Sequence, residues 1–338
     1  YNGESTASIF SIRVDGELSF ATDRNTSLTV DTVVVSMSGR LEIGTEGQPV
    51  NAGVTTEILI ADNGDINTSW DPKLISRGIV AMGEVEIRGA EKTTFVTVDA
   101  APMTGATLID LGEVPTGWRV GDTIVITGTH KEGWYWDNDL RDVIYHESQD
   151  EEVVITAING DKITIDRPLV YDHDAPRADL SAYVANTTRN ITIASEGGED
   201  TPVNQRGHVM LMNSDSDVRY AAFDDLGRTD KSEPAFDVNS LSSVTADSNV
   251  KGRYPLHFHR TGTEDQDSPA MAVGNSVSGS PGWGFAQHSG NVNMIGNVAF
   301  DVFGAAFVAE DGDETGTWLG KIAIRTEGIA YGDHAVKD

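Results

Sequence analysis

The sequence lacks cysteine, long apolar runs and helical periodicity. The absence of cysteine excludes disulfides, thiolate metal sites and a cysteine nucleophile. No apolar run approaches the roughly 18 residues that span a bilayer, so we expect no membrane insertion. Apolar residues rarely recur at the three- and four-residue spacing of an amphipathic helix. These absences favour an all-β protein.

Basic residues are also scarce. There are 24 Lys and Arg against 53 Asp and Glu, which gives a formal net charge of −29. This charge argues against nucleic acid and anionic membranes as partners, because both would be repelled. No Gly-x-Ser-x-Gly elbow, phosphate loop or dinucleotide fingerprint occurs, so the sequence offers none of the common nucleotide or serine-hydrolase motifs.

What the sequence does contain is a series of short β-branched runs separated by glycine, asparagine and aspartate, which is typical of strands and turns. Glycines border the strands predicted in residues 15–130, and Asn159-Gly160-Asp161 predicts a hairpin turn. Residues 131–187 add further strands and a loop rich in aromatic and acidic residues, including Trp134 and Trp136. We therefore divide the chain into residues 1–130, a connecting part 131–187, and residues 188–338.

A repeat lies near the end of the chain. Residues 282–290 match residues 304–312, and the pair Gly274-Asn275 matches Gly296-Asn297, all at an offset of 22. A period of this length in a Gly-, Asn- and Val-rich sequence indicates stacked β coils, one coil per repeat. Because stacked strands lie about 4.8 Å apart, equivalent positions form ladders along the stack.

The ladder positions contain chemically active side chains. The offset of 22 places Glu310 over His288. Aligning the earlier motif Gly-Arg-Tyr-Pro-Leu-His-Phe-His (residues 252–259) so that Leu256 lies over Phe285 places His259 over His288. We therefore expect His259, His288 and Glu310 to form a column on one wall of the coils.

The histidines of this column have the arrangement of metal ligands. His257 and His259 are two apart on a strand, so both point to the same face. With His288 and Glu310 they would favour a divalent transition metal such as Zn, Mn or Ni, with Fe and Cu also possible, over Ca, which prefers all-oxygen sites. The alternatives are a hydrogen-bonded histidine ladder and a purely structural metal that ties adjacent coils together.

Two parts of the chain resemble one family, the proteins that join an eight-glycine domain to parallel β-helix repeats; these include cell-surface hyaluronidases and fibrocystin. Residues 15–130 resemble the eight-glycine domain through the strand–glycine series, Arg-Leu-Glu-Ile-Gly-Thr-Glu (residues 40–46) and Trp-Arg-Val-Gly-Asp (residues 118–122). Residues 188–328 resemble the repeats through residues 188–193, 207–212, 252–259 and 304–312. The resemblance covers about nine-tenths of the chain.

The resemblance implies a right-handed parallel β-helix of the pectate-lyase type behind a β-rich N-terminal domain, extracellular or cell-surface placement, and glycan cleavage. It also implies that His208, in the string Gly-His-Val-Met-Leu-Met, is a fourth metal ligand. Cysteines of the animal members are missing, and we expect a bacterial member. Activity is not uniform in the family, so the fold is better supported than the reaction.

Four residues are candidates for catalysis. Glu310 and Asp311 are adjacent, so on a strand only one of them would face the column; we favour Glu310, while Asp311 could act at a strand end. Arg253 would bind a carboxylate or sulfate of the substrate, or form a salt bridge with an acidic neighbour. Tyr254 is a possible proton donor or a packed turn residue.

Together these features predict an extracellular, metal-dependent enzyme that degrades a polysaccharide, by glycoside hydrolysis or by uronate lyase chemistry. The competing hypothesis is a non-catalytic glycan-binding or adhesive module of a larger surface protein. In both cases a polysaccharide is the expected partner. The substrate, the metal and the oligomeric state stay open.

Overall fold

The computed structural model describes residues 1–130, 133–145, 148–175, 177–265 and 267–328. Within these ranges the chain consists of strands and three short 3-10 helices, Gly198–Asp200, Val203–Gln205 and Val238–Ser240. No helix in the same ranges is long and apolar enough to cross a membrane. The prediction of an all-β protein is confirmed. The chain forms two compact units, residues 92–188 and the remainder.

The first unit begins with seven strands in residues 1–91. They are β1 (Ile9–Val14), β2 (Glu17–Ser19), β3 (Thr26–Val35), β4 (Arg40–Ile43), β5 (Thr56–Ile60), β6 (Gly78–Ala81) and β7 (Glu84–Arg88). Alternating burial along β4, β5 and β7 shows that one side of each strand faces a core, as their period-two apolar pattern predicts.

The second unit, residues 92–188, contains eight strands in its described part. They are β8 (Phe95–Thr97), β9 (Leu108–Asp110), β10 (Thr123–Ile126), β11 (Trp134–Asp137), β12 (Asp142–Tyr145), β13 (Glu151–Asn159), β14 (Lys162–Ile165) and β15 (Tyr183–Asn186). Six form an antiparallel sheet in the order β8-β15-β10-β13-β14-β9, and β11 and β12 form a separate hairpin. The predicted hairpin turn is confirmed, because β13 and β14 pair around Gly160, which has a φ of 66°.

The described part of the chain after residue 188 belongs to the first unit again and contains thirteen further strands. They are β16 (Ile191–Ser195), β17 (His208–Leu211), β18 (Ser216–Arg219), β19 (Ala221–Asp224), β20 (Leu256–Gly262), β21 (Ala270–Val273), β22 (Ser276–Ser280), β23 (Phe285–Gly290), β24 (Val292–Ile295), β25 (Val298–Phe303), β26 (Phe307–Ala309), β27 (Trp318–Leu319) and β28 (Ile322–Glu327). All of their ladders with one another are parallel.

The strands of the first unit line three walls of a parallel β-helix. One wall, called here the site wall, runs from β6 through β17, β20 and β23 to β26; the second runs from β5 through β16, β19, β22 and β25 to β28; the third contains β2, β4, β7, β18, β21, β24 and β27. The long strand β3 joins the first two walls, because its first half pairs with β5 and its second half with β6. The predicted β-helix is confirmed.

Residues 1–91 are coils of this same β-helix. β5 pairs with β16 and β6 pairs with β17, so the chain leaves the helix after β7 and resumes it at β16. Leu28 and Ile87 share one buried apolar cluster with Phe223 and Phe285. The compact units of the structure divide at 91/92 and 188/189, because the N-terminal apolar faces continue the core of the later coils. The division into residues 1–130, 131–187 and 188–338 stays a prediction.

The predicted register of the later coils is confirmed. Leu256 pairs with Phe285 and His259 with His288, and Phe285 pairs in turn with Phe307, whose ring stacks on it at 5.0 Å. Beyond the end of β26, the main-chain N–H of Glu310 still donates to the carbonyl of Gln287 at 3.0 Å. The offset of 22 residues therefore places Glu310 in line with His288.

A buried asparagine ladder fixes a corner of the coils. The Oδ1 of Asn297 accepts from the main-chain N–H of Asn275 at 2.9 Å, and Asn275 Oδ1 accepts from the N–H of Ala221 at 3.0 Å. Asn297 Nδ2 donates to the carbonyl of Ala272 at 2.7 Å. The repeated Gly-Asn pairs thus satisfy main-chain groups that a turn would otherwise bury unpaired.

Candidate active site

Three imidazoles meet on the outer face of the site wall. Leu256 and Phe258 point into the core of the helix, so His257 and His259 point outward, and His288 follows on the next coil. The ring centres of His259 and His288 are 4.7 Å apart, and those of His257 and His259 are 5.0 Å apart. The predicted column is therefore present as a compact cluster.

Two carboxylates complete the cluster. Glu310 Oε2 lies 3.3 Å from His288 Nδ1 and 3.8 Å from His257 Nε2, while Asp311 Oδ2 lies 3.0 Å from His288 Nε2, outside hydrogen-bond geometry. Because β26 ends at Ala309, strand alternation does not apply to either residue, and both acids reach His288. The expectation that a single acid faces the column assumed a continuous strand. The structure instead agrees with the alternative in which Asp311 lies at a strand end.

The turn that holds Asp311 is braced from two sides. Ser289 Oγ donates to Asp311 Oδ2 at 3.1 Å, and the carboxylate of Glu314 accepts the main-chain N–H groups of Asp311 and Gly312, both at 2.7 Å. These hydrogen bonds hold the pKa of Glu314 below its usual value, although its partial burial opposes them. Glu314 is therefore a positioning residue that the sequence did not single out.

The buried histidines are neutral. His257 Nδ1 lies 3.0 Å from the carbonyl of Gly252, which can only accept, so Nδ1 carries the proton and Nε2 carries a lone pair. Burial lowers the pKa of His257 to about 3 and that of His259 to about 4, and the neighbouring imidazoles add to both shifts. Both rings are thus uncharged near pH 7.

The cluster has an excess of hydrogen-bond acceptors. His257 Nε2 and His259 Nδ1 are buried without a hydrogen-bond partner among the described residues, and the Glu310 carboxylate lies beside the first of them. Unprotonated ring nitrogens next to a carboxylate favour a proton donor or a cation. In the part of the chain that the structure describes, however, no three His, Asp or Glu side chains are already arranged to hold a metal ion.

Access to the cluster differs from one end to the other. His257 is fully buried, the side chains of His288 and Glu310 are 16% and 15% exposed, and that of Asp311 is 48% exposed. A ligand can therefore reach the cluster at the His288–Asp311 end, while His257 forms its floor.

His208 lies outside the cluster. It pairs with Gly78, whereas its neighbour on the same face, Met210, pairs with His257. Its Nδ1 lies 3.0 Å from the carbonyl of Arg77 and 3.1 Å from Nη1 of Arg228, and burial together with the adjacent arginines holds its pKa well below the ordinary value. The structure thus places this predicted fourth ligand in a buried arginine network.

Arg253 does not face a substrate. Its Nε donates to the carbonyl of Leu74 at 2.7 Å, its Nη1 to that of Lys251 at 2.9 Å and its Nη2 to that of Lys73 at 2.8 Å. We expected Arg253 to bind a carboxylate or sulfate of the substrate or to form a salt bridge with an acidic neighbour. The structure shows contacts with main-chain carbonyls instead. The guanidinium ties the site wall to the chain before β6, and burial lowers its pKa to about 10.

Tyr254 is packed as part of an aromatic stack. Its ring is fully buried, 4.9 Å from the ring of Trp283 and 5.2 Å from that of His257, and Lys231 Nζ lies 3.8 Å from the centre of the Trp283 ring. This placement agrees with the packed-turn alternative and makes Tyr254 a support for His257. Trp283 was not among the predicted site residues, although it lies inside the repeated motif.

This fold and site define a class, a parallel β-helix with a histidine–carboxylate cluster on one wall. A family model of the G8 domain matches residues 1–99, and one of the CEMIP beta-helix matches residues 238–329. The resemblance seen in the motifs is thereby confirmed: residues 1–99 match the G8 domain, and residues 238–329 match the CEMIP beta-helix. Its expected bacterial origin stays a prediction.

Curated relatives come from Dictyostelium discoideum. One G8 domain-containing protein is 25% identical over 85% of this chain, and another is 27% identical over 90%. The chain spans 18% and 24% of the lengths of these two proteins. Among solved structures, the tailspike of Acinetobacter baumannii bacteriophage AP22, in complex with a capsular saccharide, is 10% identical and covers 92% of this chain and 41% of its own, with a TM-score of 0.25.

Proposed function

We propose that this chain is the glycan-cleaving part of an extracellular or cell-surface protein, with His257, His259, His288, Glu310 and Asp311 as its active centre. The observation that carries the proposal is the cluster itself, in which imidazoles and carboxylates from three successive coils converge on one wall. A wall of parallel strands offers an extended surface for a polysaccharide chain. The family matches support a role connected with polysaccharides at a surface.

General acid–base catalysis is the chemistry that these groups offer. His259 is neutral, and its unpartnered Nδ1 is buried, so the ring must rotate towards the open end of the cluster before it can take a proton from a water molecule or from the carbon next to a sugar carboxylate. Glu310, in its protonated form, would donate a proton to the leaving sugar oxygen. With water as the nucleophile the reaction is hydrolysis; with the carbon proton removed it is elimination, which leaves an unsaturated sugar.

A divalent transition metal is the alternative to direct acid–base catalysis by His259 and Glu310, because a group that holds an ion cannot also exchange a proton. Its ligands would be His257 Nε2, His259 Nδ1 and Glu310, a nitrogen–oxygen set of the kind that such ions prefer, although the side chains must rotate to form it. When bound, the ion would supply positive charge to stabilise negative charge that develops on the sugar. The neutral state of both rings agrees with this role, because a protonated imidazole cannot bind a metal.

The experiment is a turnover assay on uronate and neutral polysaccharides, with and without chelator, comparing the unaltered protein with His288→Ala. We expect new reducing ends from at least one substrate, and a loss of about 100-fold or more in His288→Ala, because acid–base groups contribute on this scale. His130→Ala, which removes a half-exposed histidine of the second unit, is the matched control and should stay active. Ultraviolet absorbance of unsaturated products separates elimination from hydrolysis.

The second candidate is a glycan-binding module without catalysis. It is favoured by the absence, in the described residues, of a preformed metal group and by the much greater length of the relatives. It predicts that a glycan binds but that no reducing ends and no unsaturated products appear on any substrate. That result would contradict the enzymatic proposal and support this one.

A further inference from the structure

Arg260 differs from every other arginine of the first unit. In the described residues of this unit, the other arginines contact a carboxylate or donate to main-chain carbonyls. The first group is Arg13, Arg24, Arg40, Arg77, Arg88, Arg219 and Arg325, and the second is Arg189, Arg206, Arg228 and Arg253. Arg260 has neither kind of partner within the described ranges, although acidic residues outnumber basic ones by 53 to 24.

The backbone turns Arg260 outward. It follows His259 directly, and strict alternation along β20 would send it into the core beside Phe258. The register of β20 and β23 shifts between His259 and Gly262, and Arg260 has a φ of 54°, a left-handed conformation that costs a non-glycine residue about 1–2 kcal/mol. As a result the side chain is exposed. Ser289, at the end of the equivalent strand on the next coil, has the same left-handed conformation, with a φ of 46°.

The exposed guanidinium lines a cleft next to the cluster. Arg260 and Ser289 follow His259 and His288, respectively, and both border a cavity of about 430 Å³. Its other lining residues include Ser214, Thr261 and Thr263, which have hydroxyl side chains, and the acidic residues Glu264 and Asp265. The volume is that of an ordinary small-ligand site. Arg260 is the one cation among these lining residues, so a negatively charged group of a sugar would pair with its guanidinium, because the two carboxylates repel such a group from their part of the lining.

We propose that Arg260 binds an oxyanion of the glycan, a sugar carboxylate or a sulfate ester, and so holds an acidic sugar unit against His259 and His288. This inference rests on the proposed function, and it assigns to Arg260 the role expected of Arg253. A planar guanidinium can pair with such a group through two parallel hydrogen bonds. In a chain with a net charge of −29, an acidic glycan needs such a local cation, because the overall field repels it.

The test measures binding rather than turnover. Tetrasaccharides of galacturonate, mannuronate and hyaluronan are compared by calorimetry with the same chains after reduction of their carboxyl groups, and a sulfated neutral tetrasaccharide separates sulfate from carboxylate. We expect at least one charged chain to bind roughly 10- to 100-fold more tightly than its reduced form, as a charged hydrogen bond would give. In Arg260→Gln this preference should vanish, and in Arg260→Lys part of it should remain.

Arg24→Gln is the matched control, since it removes one exposed, ion-paired arginine from the same unit and should leave the preference intact. Circular dichroism melts confirm that each variant is folded. Equal affinity for charged and neutral chains, no binding of any charged chain, or an unchanged preference in Arg260→Gln would each overturn the proposal. Charge-selective binding without turnover would overturn the enzymatic function and leave the role of Arg260 intact.

Discussion

Two polar clusters of the β-helix, both of which include residues of the motif 252–259, differ in how their hydrogen-bonding groups are satisfied. Around Arg253 and Arg228, buried guanidinium groups donate to main-chain carbonyls, including those of Leu74 and Ser76. Around His259 and His288, ring nitrogens and carboxylates face each other, and the acceptors His257 Nε2 and His259 Nδ1 have no donor among the described residues. The arginine cluster also has buried groups without a partner there, among them Arg228 Nε and His208 Nε2, but its charged donors are mostly taken up by carbonyls and stabilise the fold. Excess acceptors, by contrast, are suited to a ligand.

The largest effect that would test this comparison is on stability. Arg228→Met should lower the free energy of unfolding by about 3–5 kcal/mol, because four buried carbonyls lose a charged donor. Glu310→Gln, in the cluster around His259 and His288, should change it by less than about 1 kcal/mol while reducing turnover. Urea denaturation measures both. A Glu310→Gln loss as large as that of Arg228→Met would contradict the distinction between the two clusters.

Metal binding gives a second test of the difference between the two clusters, and its expected effect on stability is smaller than that of Arg228→Met. If His257, His259 and Glu310 hold a divalent ion, Zn²⁺ at 100 times its dissociation constant should stabilise the protein by about 2.7 kcal/mol. The increase in melting temperature should disappear in His259→Ala but persist in the control variant His130→Ala. The same increase in both variants would place the ion elsewhere, and no increase in the unaltered protein would remove the metal from the proposal.

Much of the fold and the core of the site could be predicted from the sequence. The offset of 22 residues and the pairing of Leu256 with Phe285 determine the register, and register determines which side chains share a wall. This reasoning located His259, His288 and Glu310 correctly because strand geometry leaves each position only two directions.

Other features depend on contacts that a periodic pattern does not encode. The carbonyl partners of Arg253 come from residues 73 and 74, about 180 positions away, and no motif marks them. Strand alternation does not predict the direction of the Arg260 side chain, because this residue has a left-handed backbone conformation. It does not apply to Asp311 either, because β26 ends at Ala309. The boundary of the compact unit after residue 91 has no mark in the sequence, because the strands before and after the second unit have the same pattern.

Protonation of the cluster should also appear in the pH dependence of stability. The pKa of His257 is lowered to about 3 and that of His259 to about 4, so below the unfolded value of about 6.5 the unfolded chain binds more protons than the folded chain. The contribution of these groups to stability is therefore complete above pH 6.5. It falls progressively as the pH decreases from about 6.5 towards 3.

The central claim is that neutral imidazoles form the floor of this site, and the most direct measurement is an NMR pH titration of the histidine side chains. We predict that His257 stays neutral, with its proton on Nδ1, down to at least pH 5, and that His259 begins to titrate only near pH 4. Titration of both rings near 6.5, or a proton on His257 Nε2 at neutral pH, would contradict the proposed centre.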